Sequence, residues 1–285
     1  MKVVSDPGEM KNLSLSLQRI GRRIGLVPTM GALHDGHLSL LSRCRGLADT
    51  SVVSIFVNPA QFGPSEDFDT YPRAFENDCR VAEENGCDVV FAPRVSDMYP
   101  GKYDTYVTVE RLGTRLCGAS RPAHFRGVTT VVLKLFNIVM PQVAVFGRKD
   151  AQQAIIIRRM ISDLNLSVTL DIAPVVREDD GLAVSSRNAY LTGDERKEAG
   201  EIYKGLCWAR ELYQNGERNA GELRTAMMQL YDAARSFNVE YTEIVDPDTL
   251  DPVDTLAGTV LIAVAVRTKW SKTRLIDNVI VGGEL

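Results

Sequence analysis

The chain has 285 residues, a formal net charge of −4, and 45% hydrophobic and 25% charged residues. That length allows two modest domains, and that composition excludes disorder, collagen-like repeats and a disulfide-framed miniprotein. Basic residues number 33 against 37 acidic, so there is no basic excess of the kind that binds nucleic acid.

The most apolar stretch, 128–140, is interrupted by Lys134 and Asn137, and no membrane span is expected. Five cysteines without a C-x-x-C pair, and an acid at Asp6 ahead of any apolar signal region, point to a reduced, cytoplasmic setting.

In chain order, Arg23-Ile24-Gly25-Leu26-Val27 predicts a strand that stops at Pro28, and Leu38, Leu41, Cys44 and Ala48 then recur at the helical period. Residues 51–57 read as a continuous apolar strand closed by Asn58-Pro59. Strand, helix and strand in about 35 residues make a βαβ unit whose parallel strands are buried on both faces. The spacing next predicts a helix over 73–84, a strand at 88–91, a buried helix over 128–139, a strand at 143–146, a helix over 150–164 and a strand at 167–172. This alternation is that of an α/β domain with a doubly wound parallel sheet. Past Pro174, helices over 194–213 and 220–237 precede strands at 239–245, 259–266 and 274–281, the order of a smaller α+β domain. The expected domains are residues 1–175 and 176–285.

In open parallel sheets, ligands bind beyond the carboxyl ends of the strands. There the first strand runs into Pro28-Thr29-Met30-Gly31-Ala32-Leu33-His34-Asp35-Gly36-His37. Gly31 and Gly36 let backbone approach a ligand closely, and the following helix aims its N-terminal amides at the same place. His34 and His37, three residues apart, share one face of the first turn. They can donate to phosphate oxygens and stabilise charge at a pentavalent phosphorus. The plain alternative is a pair of satisfied surface histidines, but a His-x-Gly-His closing the first strand favours phosphate. A zinc site would need further ligands, and no third histidine lies nearby. No Gly-x-Gly occurs, and the nearest approach to a P-loop, between Gly113 and Ser120, lacks its lysine.

Other segments follow strands in the same manner. Asn58-Pro59-Ala60-Gln61-Phe62 offers side-chain amides to a polar substrate. Gly147-Arg148-Lys149-Asp150 opens a helix carrying Gln152 and Gln153. Lys149 suits a phosphate, while Asp150 either accepts from a ribose hydroxyl or caps the helix. Val184-Ser185-Ser186-Arg187-Asn188 is either a polyphosphate clamp or a polar turn. Asp67, Asp69, Glu76 and Asp78 supply either an oxygen ligand to Mg²⁺ or a solvated helix face. His124, in the basic loop 121–127, either meets an anionic substrate or is structural.

These segments, in this order, resemble those of the pantoate–β-alanine ligase family (the pantothenate synthetases) of the nucleotidyltransferase superfamily. The resemblance runs on through Arg121-Pro122-Ala123-His124-Phe125 and Arg274-Leu275-Ile276-Asp277-Asn278 and so covers nearly the whole chain. It implies a Rossmann-like N-terminal domain, a smaller C-terminal domain closing over the ATP site, and a homodimer. It also implies a two-step reaction in which (R)-pantoate attacks the α-phosphate of Mg·ATP and β-alanine then displaces AMP from pantoyl adenylate.

By the same resemblance, Pro28, Met30, Gly31, Ala32, Leu33, His34 and His37 bind ATP, with His37 the active-site acid and His34 its partner on the phosphates. Gly147, Arg148, Lys149, Asp150, Val176, Val184, Ser185, Ser186 and Arg187 complete the ATP site. Lys149, Ser185, Ser186 and Arg187 share in catalysis. Gln61 and Gln153, with Asn58, hold pantoate; Arg121 lies on the β-alanine or phosphate side; Asp78 is the Mg²⁺-associated acid. Two residues depart from the family pattern: Arg148, where an acidic or neutral residue is frequent, and Ala151, where an aromatic is common. A carboxylate nucleophile is already ionised at pH 7, so adenylation needs alignment and charge neutralisation rather than a general base.

Overall fold

A computed structural model of the chain describes residues 1–64 and 66–285. The chain divides into two compact units. The first comprises Met1–Thr114, Gly118–Arg148 and Gln153–Pro174; the second comprises Arg115–Cys117, Lys149–Gln152 and Val175–Leu285.

Up to residue 174 the chain runs through β1 (Lys2–Val4), α1 (Pro7–Arg19), β2 (Ile24–Thr29), α2 (Asp35–Leu47), β3 (Thr50–Ile55), α3 (Phe75–Glu84), β4 (Val89–Phe91), α4 (Val95–Met98), α5 (Cys117–Ser120), α6 (His124–Val139), β5 (Val143–Gly147), α7 (Ala151–Asp163) and β6 (Thr169–Ala173). The six strands form one parallel sheet in the order β1-β4-β3-β2-β5-β6. Val27, Val53, Val90, Val143 and Val145 bury one face of it against Leu40, Leu41 and Cys44 of α2 and Ala82 of α3. The alternating residues Leu26 and Val52 are fully buried too, and helices α1 and α6 pack on each other and on β2. Burial of both faces is why these strands are continuously apolar.

β1 and α1 were not anticipated, although α1 carries ordinary start signals: Asp6 accepts the Glu9 amide at 2.7 Å and Pro7 occupies the first helical turn. β2 also runs one residue past Pro28. The bonds Phe56 N to Thr29 O (3.1 Å) and Gln142 N to Ile24 O (2.9 Å) fix the alternation of the strand, so Pro28 presents its missing N–H towards β5. β2 pairs with β5 at Gly25 and Leu26 but with β3 all the way to Thr29. The proline therefore interrupts no ladder bond. The strands β2 and β5 part company there because the chain steps outward to β3 and β4 on one side and later to β5 on the other. That is the topological switch point at which such sheets bind ligands.

The second unit contains α8 (Gly193–Glu198), α9 (Glu201–Gln214), α10 (Ala220–Ala233) and the antiparallel strands β7 (Phe237–Val245), β8 (Val260–Thr268) and β9 (Arg274–Val281), in the order β7-β8-β9. Its core joins Ile202, Leu206, Leu223 and Met227 to Ile262, Val264, Leu275 and Val279. The helix expected over 194–213 is two helices. The helix expected to reach 237 ends at Ala233, because Phe237 is needed in β7, where it packs on Tyr231 at 6.2 Å. Among the described residues no helix is long and apolar enough to cross a membrane.

Candidate active site

At the end of β2 the Thr29 hydroxyl donates to Ser54 O (2.6 Å) and accepts the Gly31 amide (3.2 Å). Gly31 and Ala32 both take positive φ, 84° and 50°, so the backbone turns sharply before α2. A Cβ on Gly31 would lie 2.9 Å from the Asp78 carboxylate, which together with its φ explains the glycine. His34 caps α2 with extended backbone (φ −140°, ψ 174°), and its carbonyl accepts the His37 amide at 2.7 Å. The His34 and His37 rings stack with centroids 4.0 Å apart and planes 27° from parallel. The shared face expected from their spacing is thus realised at the head of α2.

Asp78 does not have the environment expected of a metal ligand. It is 1% exposed, and its two oxygens accept the consecutive amides of Ala32 (2.9 Å) and Leu33 (2.8 Å). The backbone amides of Ala32 and Leu33 are therefore turned to the carboxylate. Among the described residues no group of three or more His, Cys, Asp or Glu side chains is arranged to hold a metal.

The turn after β3 is held from several sides. Asn58 is buried and accepts the Tyr99 hydroxyl at 2.7 Å and the Ala60 amide at 3.3 Å; its own amide donates to Gln61 Oε1 (3.0 Å) and Gly127 O (3.2 Å). Burial, with Tyr103 and Tyr106 adding to it, pushes the Tyr99 hydroxyl well above its ordinary value, so it remains a donor. Gln61 in turn reaches the Met30 sulfur at 3.3 Å. Asn58 thus orients Gln61 rather than standing beside it as a second substrate amide.

Arg121 is engaged bidentately by Glu66, at 2.6 and 2.5 Å, and lies 3.1 Å from His124 Nε2. Burial alone would raise the Glu66 carboxyl, but Arg121 holds it below its ordinary value. His124 Nδ1 lies 2.8 Å from the Gln61 carbonyl oxygen. Arg121, expected on the β-alanine or phosphate side, has its planar fork matched by this carboxylate. Gly147 is the last residue of β5 and Arg148 follows it, and Gln153 sits half-buried in the first turn of α7.

Within the second unit, Lys149 has a side chain 24% exposed with Nζ 3.8 Å from Asp150, and its carbonyl accepts from the Asn278 side chain at 3.0 Å. The Val184 amide bonds Val176 O at 3.0 Å, and Arg177 bridges to Ala183, so the segments around Val176 and Val184 form one hairpin. Asp277, 4% exposed, accepts both arms of Arg177 at 2.6 and 2.9 Å, and the guanidinium stacks 3.5 Å over Tyr203. Burial pushes the Asp277 carboxyl upward, and Arg177 opposes it. Ser185 Oγ accepts the Arg187 amide at 3.3 Å, starting a short 3₁₀ turn through Tyr190. That is the polar-turn reading, yet the hydroxyl keeps its proton to donate. Sequence reasoning gave Asp277 and Asn278 no role, although both lie in the Arg274-Leu275-Ile276-Asp277-Asn278 segment it had singled out.

The profile of the pantoate-beta-alanine ligase family matches residues 2–280. The pantothenate synthetase of Acetivibrio thermocellus is 52% identical over 281 residues, covering 99% of each chain, and that of Heliobacterium modesticaldum is 54% identical with the same coverage. Among solved structures, pantothenate synthetase from Thermus thermophilus aligns with a TM-score of 0.92 at 43% identity over 98% of this chain and 99% of its own. The pantoate-beta-alanine ligase of Francisella tularensis, complexed with beta-gamma ATP and beta-alanine, aligns at 0.78 and 31% over 98% and 97%. With a sheet that opens at its switch point onto a paired-histidine turn, and with relatives matched over nearly their full length, the chain belongs to the pantoate–β-alanine ligase family.

Proposed function

We propose that this chain condenses (R)-pantoate with β-alanine to pantothenate, converting ATP to AMP and pyrophosphate. The pantoate carboxylate attacks the α-phosphorus, the bond to the bridging oxygen breaks, and pyrophosphate leaves. The neutral amine of β-alanine then attacks the acyl carbon of pantoyl adenylate, AMP leaves, and the amine loses its proton as the amide forms. The observation that carries this reading is the stacked His34–His37 pair at the head of α2, just past the switch point, with the Gln61 turn after the neighbouring strand.

His37 acts as the acid that supplies a proton to oxygen charge developing in the first step, and His34 binds the phosphates beside it. Lys149, Ser185, Ser186 and Arg187 neutralise phosphate charge, and Pro28, Met30, Gly147, Arg148, Asp150, Val176 and Val184 contact the rest of the nucleotide. Gln61 and Gln153 bind pantoate by hydrogen bonds. Aligned donors of this kind supply the charge stabilisation on which phosphoryl and adenylyl transfer depend. Mg²⁺ enters as part of the Mg·ATP substrate, held chiefly by phosphate oxygens as is usual for this ion; the buried, amide-bound Asp78 does not fit a ligand role. The chain works as a homodimer in the cytoplasm.

Incubation with ATP, (R)-pantoate and β-alanine tests the reading. AMP and pantothenate appear together and in equal amounts. Pyrophosphate released equally well without pantoate would sink it.

A further inference from the structure

We infer that Asp78 is a positioning residue whose carboxylate holds the turn at residues 31–33 in the shape that delivers His34 and the start of α2 to the nucleotide. This rests on the reading of residues 30–37 as the ATP-binding segment. Three consecutive amides leave the end of β2, and each meets a side-chain oxygen: Gly31 on Thr29 Oγ1 at 3.2 Å, Ala32 on Asp78 Oδ2 at 2.9 Å, Leu33 on Asp78 Oδ1 at 2.8 Å.

Successive amides in a left-handed turn make a concave anion site. Here that concavity is filled from within the chain by a carboxylate that is 1% exposed. Asp78 is itself anchored in α3, where its amide bonds Ala74 O at 2.8 Å, so the carboxylate is placed by a rigid element. Ala32 at φ 50° is a conformation that a side-chain-bearing residue adopts at a cost; two charge-assisted bonds offset it. The amides of Ala32 and Leu33 are then part of the scaffold, and phosphate recognition falls to the imidazoles and to the amides that follow them.

The chosen variant is Asp78→Asn, which keeps the shape but leaves one oxygen for two amides. Losing one or two charge-assisted bonds corresponds to a drop of about 10- to 100-fold in kcat/KM for ATP. The KM for β-alanine at saturating ATP and the Mg²⁺ concentration giving half-maximal rate stay at wild-type values. Unchanged kcat/KM for ATP in a folded variant overturns the inference, and so does a raised Mg²⁺ requirement with unchanged ATP affinity, the signature of a metal ligand.

Amide hydrogen exchange in the wild-type enzyme without ligand gives a second reading that needs no variant. Ala32 and Leu33 exchange slowly although they precede the helix; exchange as fast as in exposed loop amides overturns the inference. If the wild-type enzyme makes no pantothenate, it is the proposed reaction that fails, while the exchange rates still report on Asp78.

Discussion

Residues 30–37 in the first unit and residues 176–188 in the second are each built beside a buried aspartate, Asp78 and Asp277, yet the two carboxylates are neutralised by different means. Asp78 accepts two backbone amides from one turn. Asp277 accepts a guanidinium, whose Nη1 also donates to Gly181 O at 2.9 Å and whose plane lies over Tyr203. Around the second hairpin the charged theme continues: Arg196 bonds Glu178 at 2.5 Å and also pairs with Asp180. Backbone amides cannot swing away or titrate, so the first arrangement fixes the course of the main chain. An ion pair fixes side chains, carries a desolvation cost, and leaves an uncompensated charge when either partner is removed. The first region is thus a turn set by topology, and the second a hairpin held by charge pairing.

The comparison is sharpened first where chemistry and scaffold separate. His37→Ala removes the acid but neither anchor. It should lower turnover about 10²- to 10⁴-fold, while the variant still folds and still binds ATP in thermal denaturation and equilibrium titration. Arg177→Ala strikes the second scaffold and strands Asp277, and an equilibrium denaturation series should show a loss of about 3–5 kcal/mol. A loss under about 1 kcal/mol, the scale of an exposed ion pair, would mean that the hairpin does not depend on this one.

Gly127→Ala tests backbone proximity in the first unit. Its Cβ would lie 2.2 Å from Ala60 O, so the turn carrying Asn58 and Gln61 must shift. Overpacking of this kind costs about 1–3 kcal/mol, and KM for pantoate should rise more than KM for ATP.

Glu195→Gln asks whether amide neutralisation also occurs in the second unit. Burial alone would raise the Glu195 carboxyl, but hydrogen bonds involving Thr192, Ser271 and Trp270 bring it to about 2 from an ordinary 4.5. Its folded form therefore holds fewer protons than the unfolded chain between those values. The stability it contributes is complete above about pH 4.5 and is lost as pH falls towards 2. The variant should be about 1 kcal/mol less stable at about pH 6, the scale of one lost hydrogen bond. The gap to wild type should narrow steadily at about pH 4 and then about pH 3, and a constant gap would refute the assignment.

The strand–helix alternation up to residue 173 was legible because buried parallel strands are continuously apolar and their helices keep the 3.6-residue period. Strand β9 was read with its observed ends. Pro28 reads in sequence as a strand end, whereas the cost of a proline depends on which neighbour its missing N–H would have faced. Phe237 reads in sequence as the end of a helix, because an apolar residue at helical spacing fits either element until its packing partner is known. The paired histidines were readable for a local reason: a spacing of three at the head of a helix brings two rings together with no help from distant chain.

Asp78, Arg121 and Asp277 mark the boundary of what local order conveys. Their partners lie 46 and 45, 55 and 100 residues away in the chain. The sequence by itself determined the alternating elements, the family and the histidine turn, because periodicity and short spacing act within a few residues. The tertiary structure decided which charges face substrate and which are matched inside the protein. Coulomb attraction and hydrogen bonding depend on distance through space, and the fold alone sets that distance for residues far apart in the chain.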